Sequence, residues 1–280
     1  MAHLKRYSMP EFWPLARKAE SYVTTPMPGP HQKYNCFPLK VIVRDSLKFA
    51  ESSGEAKKIL NAGKVLVDKK VRKEPRFPVG FMDVLEIPEL KVRYRVNINK
   101  RGLVLEKIGE NESGIKLCRI TGKAILKGGI QQLNLHDGRN ILSKGPYRVG
   151  DSLMIEIPGQ KILKHYSLKK GEPALIIAGR NMGVTGRIKD IKERKSMLEK
   201  STVTIETEKG RDIETLKDYV MVGTLSEIPE SAPEKEEEPK PKKEKEPSKE
   251  GGFSDEGAEA PSIARSAFKR KKEKQDKEQA

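Results

Sequence analysis

Two stretches carry residue types at spacings that suit chemistry. The first, AGRNMGVTGRI at 178–188, sets glycines at 179, 183 and 186. Such spacing lets a backbone come close to a nucleotide phosphate, a neighbouring strand or a folded RNA. A dinucleotide fingerprint needs GxGxxG between a strand and a helix, and a phosphate loop needs GxxxxGK followed by Ser or Thr. Neither spacing is present. EPALIIAG before the stretch reads as a strand, and VTGRIKDI, STVTIET and RDIETL after it read as further strands. No helix N-terminus follows to hold a pyrophosphate. The glycines are therefore expected to serve turn and strand packing first and RNA approach second. The second stretch is LHDGRNI at 135–141, where Asp137 is the one candidate acid. Asp-Gly is also a hairpin-turn signal, and no second acid lies near it in sequence, so Asp137 is assigned to the turn. Cys36, Cys118, His3, His31, His136 and His165 are scattered, with no CxxC pair and no His-x-His. The sequence thus predicts no catalytic residue, no metal ligand, no disulfide and no cofactor.

What remains is charge. The 280 residues hold 56 Lys and Arg against 40 Asp and Glu, a formal +16. Residues 1–226 carry 43 basic and 25 acidic side chains, whereas 227–280 carry 13 and 15. A body at +18 repels itself unless a polyanion neutralises it, which points to nucleic acid. Aromatic residues make up 5% and apolar residues 35%, so the cores must be small and built from Val, Ile and Leu. MAHLKRYSMPEF lacks the apolar region of a signal peptide, and no apolar run is long enough to cross a bilayer. A soluble, cytoplasmic protein without membrane or small-molecule partners is expected.

Several elements must position the cations. Residues 1–37 show no sustained period and read as a basic arm that becomes ordered against RNA. There Trp13 either stacks on a base or, as a lone Trp more often does, packs on its own protein. PLKVIVRDSLKFA at 38–50 reads as a helix with Pro38 at its first position. Leu39, Ile42, Val43, Leu47, Phe49 and Ala50 fall on one side, and Lys40, Arg44 and Lys48 form a cationic stripe on another. Ser52 and Glu55 have capping-box spacing. The helix they open should bury Ala56, Ile59 and Leu60, expose Lys57 and Lys58, and stop at Gly63. VLV at 65–67, a DKK turn and VRK at 71–73 read as a hairpin, followed by a strand at 81–87. Residues 91–172 alternate and turn repeatedly, as an antiparallel sheet or partial barrel does. PEKEEEPKPKKEKEPSKE and the residues around it cannot bury enough apolar surface to offset the entropy of ordering, so 227–280 reads as a disordered tail.

The segment GKVLVDKKVRKEPRFPVGFMDVLEI, after two short helices, resembles the S-four (S4) RNA-binding domain, a small α+β module. The strand, Gly-Arg-Asn turn and Gly-Arg-Ile strand at 173–188 resemble the KOW motif of small β-barrels. The order of parts carries more weight than either motif. An HLKR arm, Trp13, a GPH segment at 29–31, Cys36-Phe37-Pro38-Leu39, the S4-like module, HDGRNI at 136–141 and the KOW-like module occur together. This arrangement over about residues 2–226 resembles the archaeal and eukaryotic small-subunit ribosomal protein S4e family. Two departures are the long charged extension and Gly138, where the family often carries alanine.

The resemblance implies an α+β, multidomain chain: a basic N-terminal arm at 1–37, a small helix-hairpin RNA-binding module at 38–92, an antiparallel β-rich central domain at 93–172, a small SH3-like KOW β-barrel at 173–226 and a disordered charged C-terminal tail at 227–280. It implies a structural component of the small ribosomal subunit, with ribosomal RNA and neighbouring ribosomal proteins as partners. RNA contacts are expected from His3, Lys5, Arg6, His31, Lys33, Lys40, Arg44, Lys48, Lys57, Lys58, Lys69, Lys70, Arg72, Lys73, Arg180, Asn181 and Arg187. The rival readings are an RNA-modifying enzyme and a transcription-elongation factor with similar modules. The first needs a catalytic domain or a glycine-rich loop that the chain lacks, and the S4-like module argues against the second.

Overall fold

The computed structural model describes residues 3–223 apart from 195, 197, 208 and 209. The stretch 227–280, expected to be a disordered tail, lies outside the described residues. Leu4–Lys5 pairs antiparallel with Tyr22–Val23, and the arm between them is anchored by its own apolar residues. Leu4, Met9 and Trp13 are buried. The Trp13 indole N–H donates to the Cys36 carbonyl at 3.0 Å, and Phe12 meets Phe37 edge-on at 5.1 Å between ring centroids. This corrects the expectation of an arm ordered only by RNA, because the protein itself supplies the apolar surface that orders it. Trp13 is a core residue, unavailable to a base.

Leu39–Val41 opens as α-helix and widens into a π-helical turn over Ile42–Ser46. Val41 joins Leu39, Ile42 and Val43 in the core, while Phe49 reaches solvent. The helical path ends at Leu47, and Lys48 adopts a left-handed φ of 56°. The expected cationic stripe is thereby shortened to Lys40 and Arg44. Helix Ser53–Asn61 starts as the sequence predicts. The Ser52 hydroxyl accepts from the Glu55 N–H at 3.2 Å, and the Glu55 carboxylate accepts from the Ser52 N–H. Ala56 and Leu60 are buried, with Ile59 half-buried.

Leu66–Val67 and Lys70–Val71 form a hairpin. Its two turn residues, Asp68 and Lys69, both have positive φ, 51° and 61°. That geometry matches the twist of the strands but is costly for residues other than glycine. Leu66–Val67 next pairs with Val84–Ile87, which pairs with Val92–Asn99, which pairs with Gly102–Lys107. One five-stranded sheet therefore runs through the expected boundary at residues 92 and 93. The physical reason is burial: Val96, Ile98 and Leu103 pack into the same core as Leu85 and Ile87.

A second antiparallel sheet has the order Asn140–Ser143, Gln131–Leu135, Ile115–Ile125, Ser152–Glu156, Ile162–Tyr166. A third has the order Asp212–Leu216, Thr202–Thr207, Thr185–Lys192, Pro173–Ile176, Val220–Val222. The fold is thus α+β, rich in antiparallel strands and poor in helix. A large core joins the arm, the helices and the third sheet. A smaller one, with Cys118, Ile120, Leu133, Leu153 and Ile155, belongs to the second sheet.

The glycines of AGRNMGVTGRI have fold duties. Gly183 has a φ of +77°, and a Cβ there would lie 2.7 Å from the Asn99 carbonyl carbon. At Gly186 a Cβ would lie 2.3 Å from the Glu206 carbonyl oxygen, across the strand pair. Gly186→Ala is expected to cost about 1–3 kcal/mol by forcing that pair apart. A melting curve unchanged from the parent would show that the strand shifts freely.

Lys116 is completely buried, with its ammonium 2.9 Å from Asp68, 2.5 Å from Asp83 and 3.1 Å from Asp137. Arg139 reaches both Asp68 (2.5 Å) and Asp137 (3.3 Å), and His31 Nε2 lies 2.9 Å from Asp83. Burial alone would lower the Lys116 pKa, but Asp83 and Asp68 hold it well above the usual lysine range. Burial would likewise raise the Asp83 carboxyl, which Lys116 and His31 instead pull far below the carboxylate range. At Asp68 burial prevails and the pKa is raised, since Asp83 opposes what Lys116 gains. This cluster joins residues of the arm, the hairpin module and the second sheet. It also holds the strained Asp68 turn in place.

Candidate nucleic-acid interface

The arm hairpin and the two helices face each other across a cleft of about 690 Å³. Its walls bring together His3 of the arm, Lys40 and Arg44 of the first helix and Lys57 of the second, and add Arg76. The first helix sets Lys40 and Arg44 one turn apart. The second presents Lys57 exposed at the flank of the face that buries Ala56 and Leu60. Arg76 is fixed by its Nε–H donating to the Thr25 carbonyl at 2.9 Å. The Lys40 ammonium donates to Ser53 Oγ at 2.9 Å. Burial, then Arg44 and Lys57, lowers its pKa from the ordinary lysine value. Arg44 is paired with Asp45 at 3.0 Å, but Lys40 and Lys57 have no carboxylate partner among the described residues. Cations crowded in this way favour the arrival of an anion.

The other expected contacts divide by exposure. Lys5, Lys48, Lys58, Lys70 and Lys73 are exposed, and Lys33 lies half-buried with its ammonium 5.4 Å from the Tyr34 ring centroid. Two assignments are corrected outright. Arg6 is buried and held by Glu20 at 3.3 Å, and the His31 ring is buried against Asp83. Arg6 closes an ion pair within the arm and His31 ties the arm to the module at 38–92, so both side chains are committed inside the protein. Lys69 is also committed, to Glu86 at 2.7 Å and to Ser113 Oγ at 2.9 Å. Arg72 lies over the Phe77 ring, 4.5 Å from its centroid. Arg180 and Asn181 are exposed at the turn before Thr185–Lys192 and line a hollow of about 520 Å³ with Lys100 and Arg211. Arg187 is exposed on that strand but lines a different groove. Sequence reasoning misses Arg76, Lys100 and Arg211, since each sits beside a turn with no periodic neighbour to mark it.

Asp137, the one candidate acid, accepts from the Arg139 N–H at 3.2 Å, as a turn residue does. Its carboxylate is also bound by Lys116 and Arg139. The turn role is therefore only part of what Asp137 does, because its carboxylate also holds two cations in place.

Over 221 residues the chain is 48% identical to the small ribosomal subunit protein eS4 of Methanothermobacter thermautotrophicus, covering 79% of this chain and 91% of that protein. The chain belongs to the ribosomal S4e family. The eS4 protein of Methanocaldococcus jannaschii is 43% identical over 229 residues, covering 79% of this chain and 93% of that protein. The model for ribosomal family S4e matches residues 91–162, the RS4NT domain matches 2–34 and the S4 domain matches 38–85. The crystal structure of the 30S ribosomal protein S4e from Thermoplasma acidophilum aligns with a TM-score of 0.57 at 34% identity, covering 67% of this chain and 95% of that one. S4e is a family of structural ribosomal proteins and not of enzymes. The basic cleft in this S4e chain lies between the segment matched as RS4NT and the segment matched as S4.

Proposed function

We propose that this chain is a structural component of the small ribosomal subunit that binds ribosomal RNA and supports subunit assembly and translation in the cytoplasm. The reading rests on its S4e membership and on one geometric observation. His3, Lys40, Arg44, Lys57 and Arg76 converge on one cleft, where the Lys40 ammonium is destabilised by burial and by its cationic neighbours. An RNA phosphate entering the cleft relieves that repulsion and releases counterions. Exposed Lys5, Lys58, Lys70 and Lys73 extend the contact around it. Arg180 and Asn181, with Lys100 and Arg211, form a second contact on residues 173–226, which we assign to an SH3-like KOW barrel. Specificity follows from the fixed spacing of these patches, because duplex RNA offers side chains shape and 2′-hydroxyls rather than readable base edges. Neighbouring ribosomal proteins complete its set of partners, and no cofactor takes part.

The combined variant Lys40→Ala, Arg44→Ala and Lys57→Ala is expected to weaken binding to small-subunit RNA. The slope of log affinity against log salt should flatten by about 0.7–0.9 for each phosphate that is no longer neutralised. Lys48→Ala alone should change it little, because Lys48 has left the stripe. A salt slope unaltered in the combined variant would mean that the cleft is only a solvated face. In a sucrose gradient the parent protein should travel with the small subunit.

A further inference from the structure

We propose that the outer face of the N-terminal hairpin receives single-stranded RNA, with an unpaired base stacked on Tyr22 and phosphates on either side of it. The proposal rests on the RNA-binding reading above and names the form of RNA that this face takes. Lys5 and Tyr22 are cross-strand partners, and their side chains share one face of the hairpin. Leu4, the residue before Lys5, turns into the core. Tyr22 is 58% exposed, and the His3 ring tilts against it at 5.8 Å between centroids.

Tyr22 also stands where two basic clefts meet. On one side is the cleft with His3, Lys40, Arg44 and Lys57. On the other is a hollow of about 580 Å³ lined by Lys5, Tyr7, Arg17 and Lys18. Glu20 borders both, but its carboxylate is bound to Arg6. Tyr7 is a second exposed ring, at 74%. Cations that track a backbone, interrupted by exposed aromatic rings, suit single strands, since every base has a face to stack. A duplex keeps its bases stacked inside and gains nothing from such a ring.

The test uses the full chain and two fluorescent probes, an oligouridylate of about ten nucleotides and an RNA duplex of roughly sixteen base pairs. Both should bind with strong salt dependence. Tyr22→Ala should weaken the single strand roughly five-fold or more and the duplex by less than about two-fold. Tyr22→Phe should behave as the parent on both, and an unchanged melting curve for Tyr22→Ala should show that the hairpin is intact. Equal losses on both probes, or no loss on either, would overturn the proposal while leaving RNA binding in place. A parent chain that bound neither probe in a salt-dependent way would overturn the RNA-binding reading as well.

Discussion

Lys116→Met is expected to destabilise the protein by about 3–5 kcal/mol. The substitution keeps the volume of the side chain, so the effect is electrostatic rather than a cavity. Three buried carboxylates, Asp68, Asp83 and Asp137, share the Lys116 ammonium. Without it they are left with Arg139 and His31, and a buried charge without a partner is costly. For a chain of this size the melting midpoint should fall by about 6–20 °C. Adding Asp68→Asn to Lys116→Met should recover part of the loss, because members of one ionic cluster are not additive. Urea denaturation of the single and double variants reads both quantities. A loss below about 1 kcal/mol would mean that the aspartates simply take up protons and that the ion pairs do not hold the modules together.

The second large effect is on acid stability. His136 Nδ1 accepts from the Arg119 N–H at 3.2 Å, and its Nε2 lies 3.3 Å from the Phe81 carbonyl, which fixes the neutral ring with its proton on Nε2. A second proton has no acceptor at Nδ1. Burial, with help from Lys116 and His31 and against Asp137, lowers this pKa from 6.5 to about 4. The unfolded chain therefore binds a proton near pH 6.5 that the folded chain refuses until about pH 4. Stability from this group is complete above pH 6.5 and is lost as pH falls toward 4, by at most about 1.4 kcal/mol per pH unit. Below that window Asp83 and Asp137, whose folded pKa values lie under their ordinary ones, lose their contribution in turn. Asp68, with its raised pKa, works in the opposite direction. Thermal midpoints measured from pH 7 to pH 4 should fall in the parent and fall less steeply in His136→Gln. Parallel slopes for the two proteins would remove His136 as the source.

The features legible in the sequence were those fixed by near neighbours. The Ser52–Glu55 capping box is a three-residue pattern and formed as written. The exposure of Lys57 and Lys58 followed from helical period, and the strands at 185–192 and 202–207 followed from alternation and turn residues. Lys48 failed for a local reason, since the widened turn ended the helix before the third step of the stripe. Arg6 and His31 failed for a distant one, because their partners Glu20 and Asp83 lie 14 and 52 residues away. Tyr22 gave no signal of its own, and its place became visible only once the two-residue hairpin was formed.

By itself, then, the sequence determined the cationic surplus of residues 1–226, the β-rich character and the family. Composition, short-range period and the order of motifs survive in one dimension. Only the tertiary structure decided which cations remain available. Lys116 and Lys57 are the same residue type, yet one is sealed among three aspartates from separate segments and the other opens on a cleft. Whether a lysine meets a carboxylate or an RNA phosphate depends on which segments packing brings within a few ångströms, and that distance is not written along the chain.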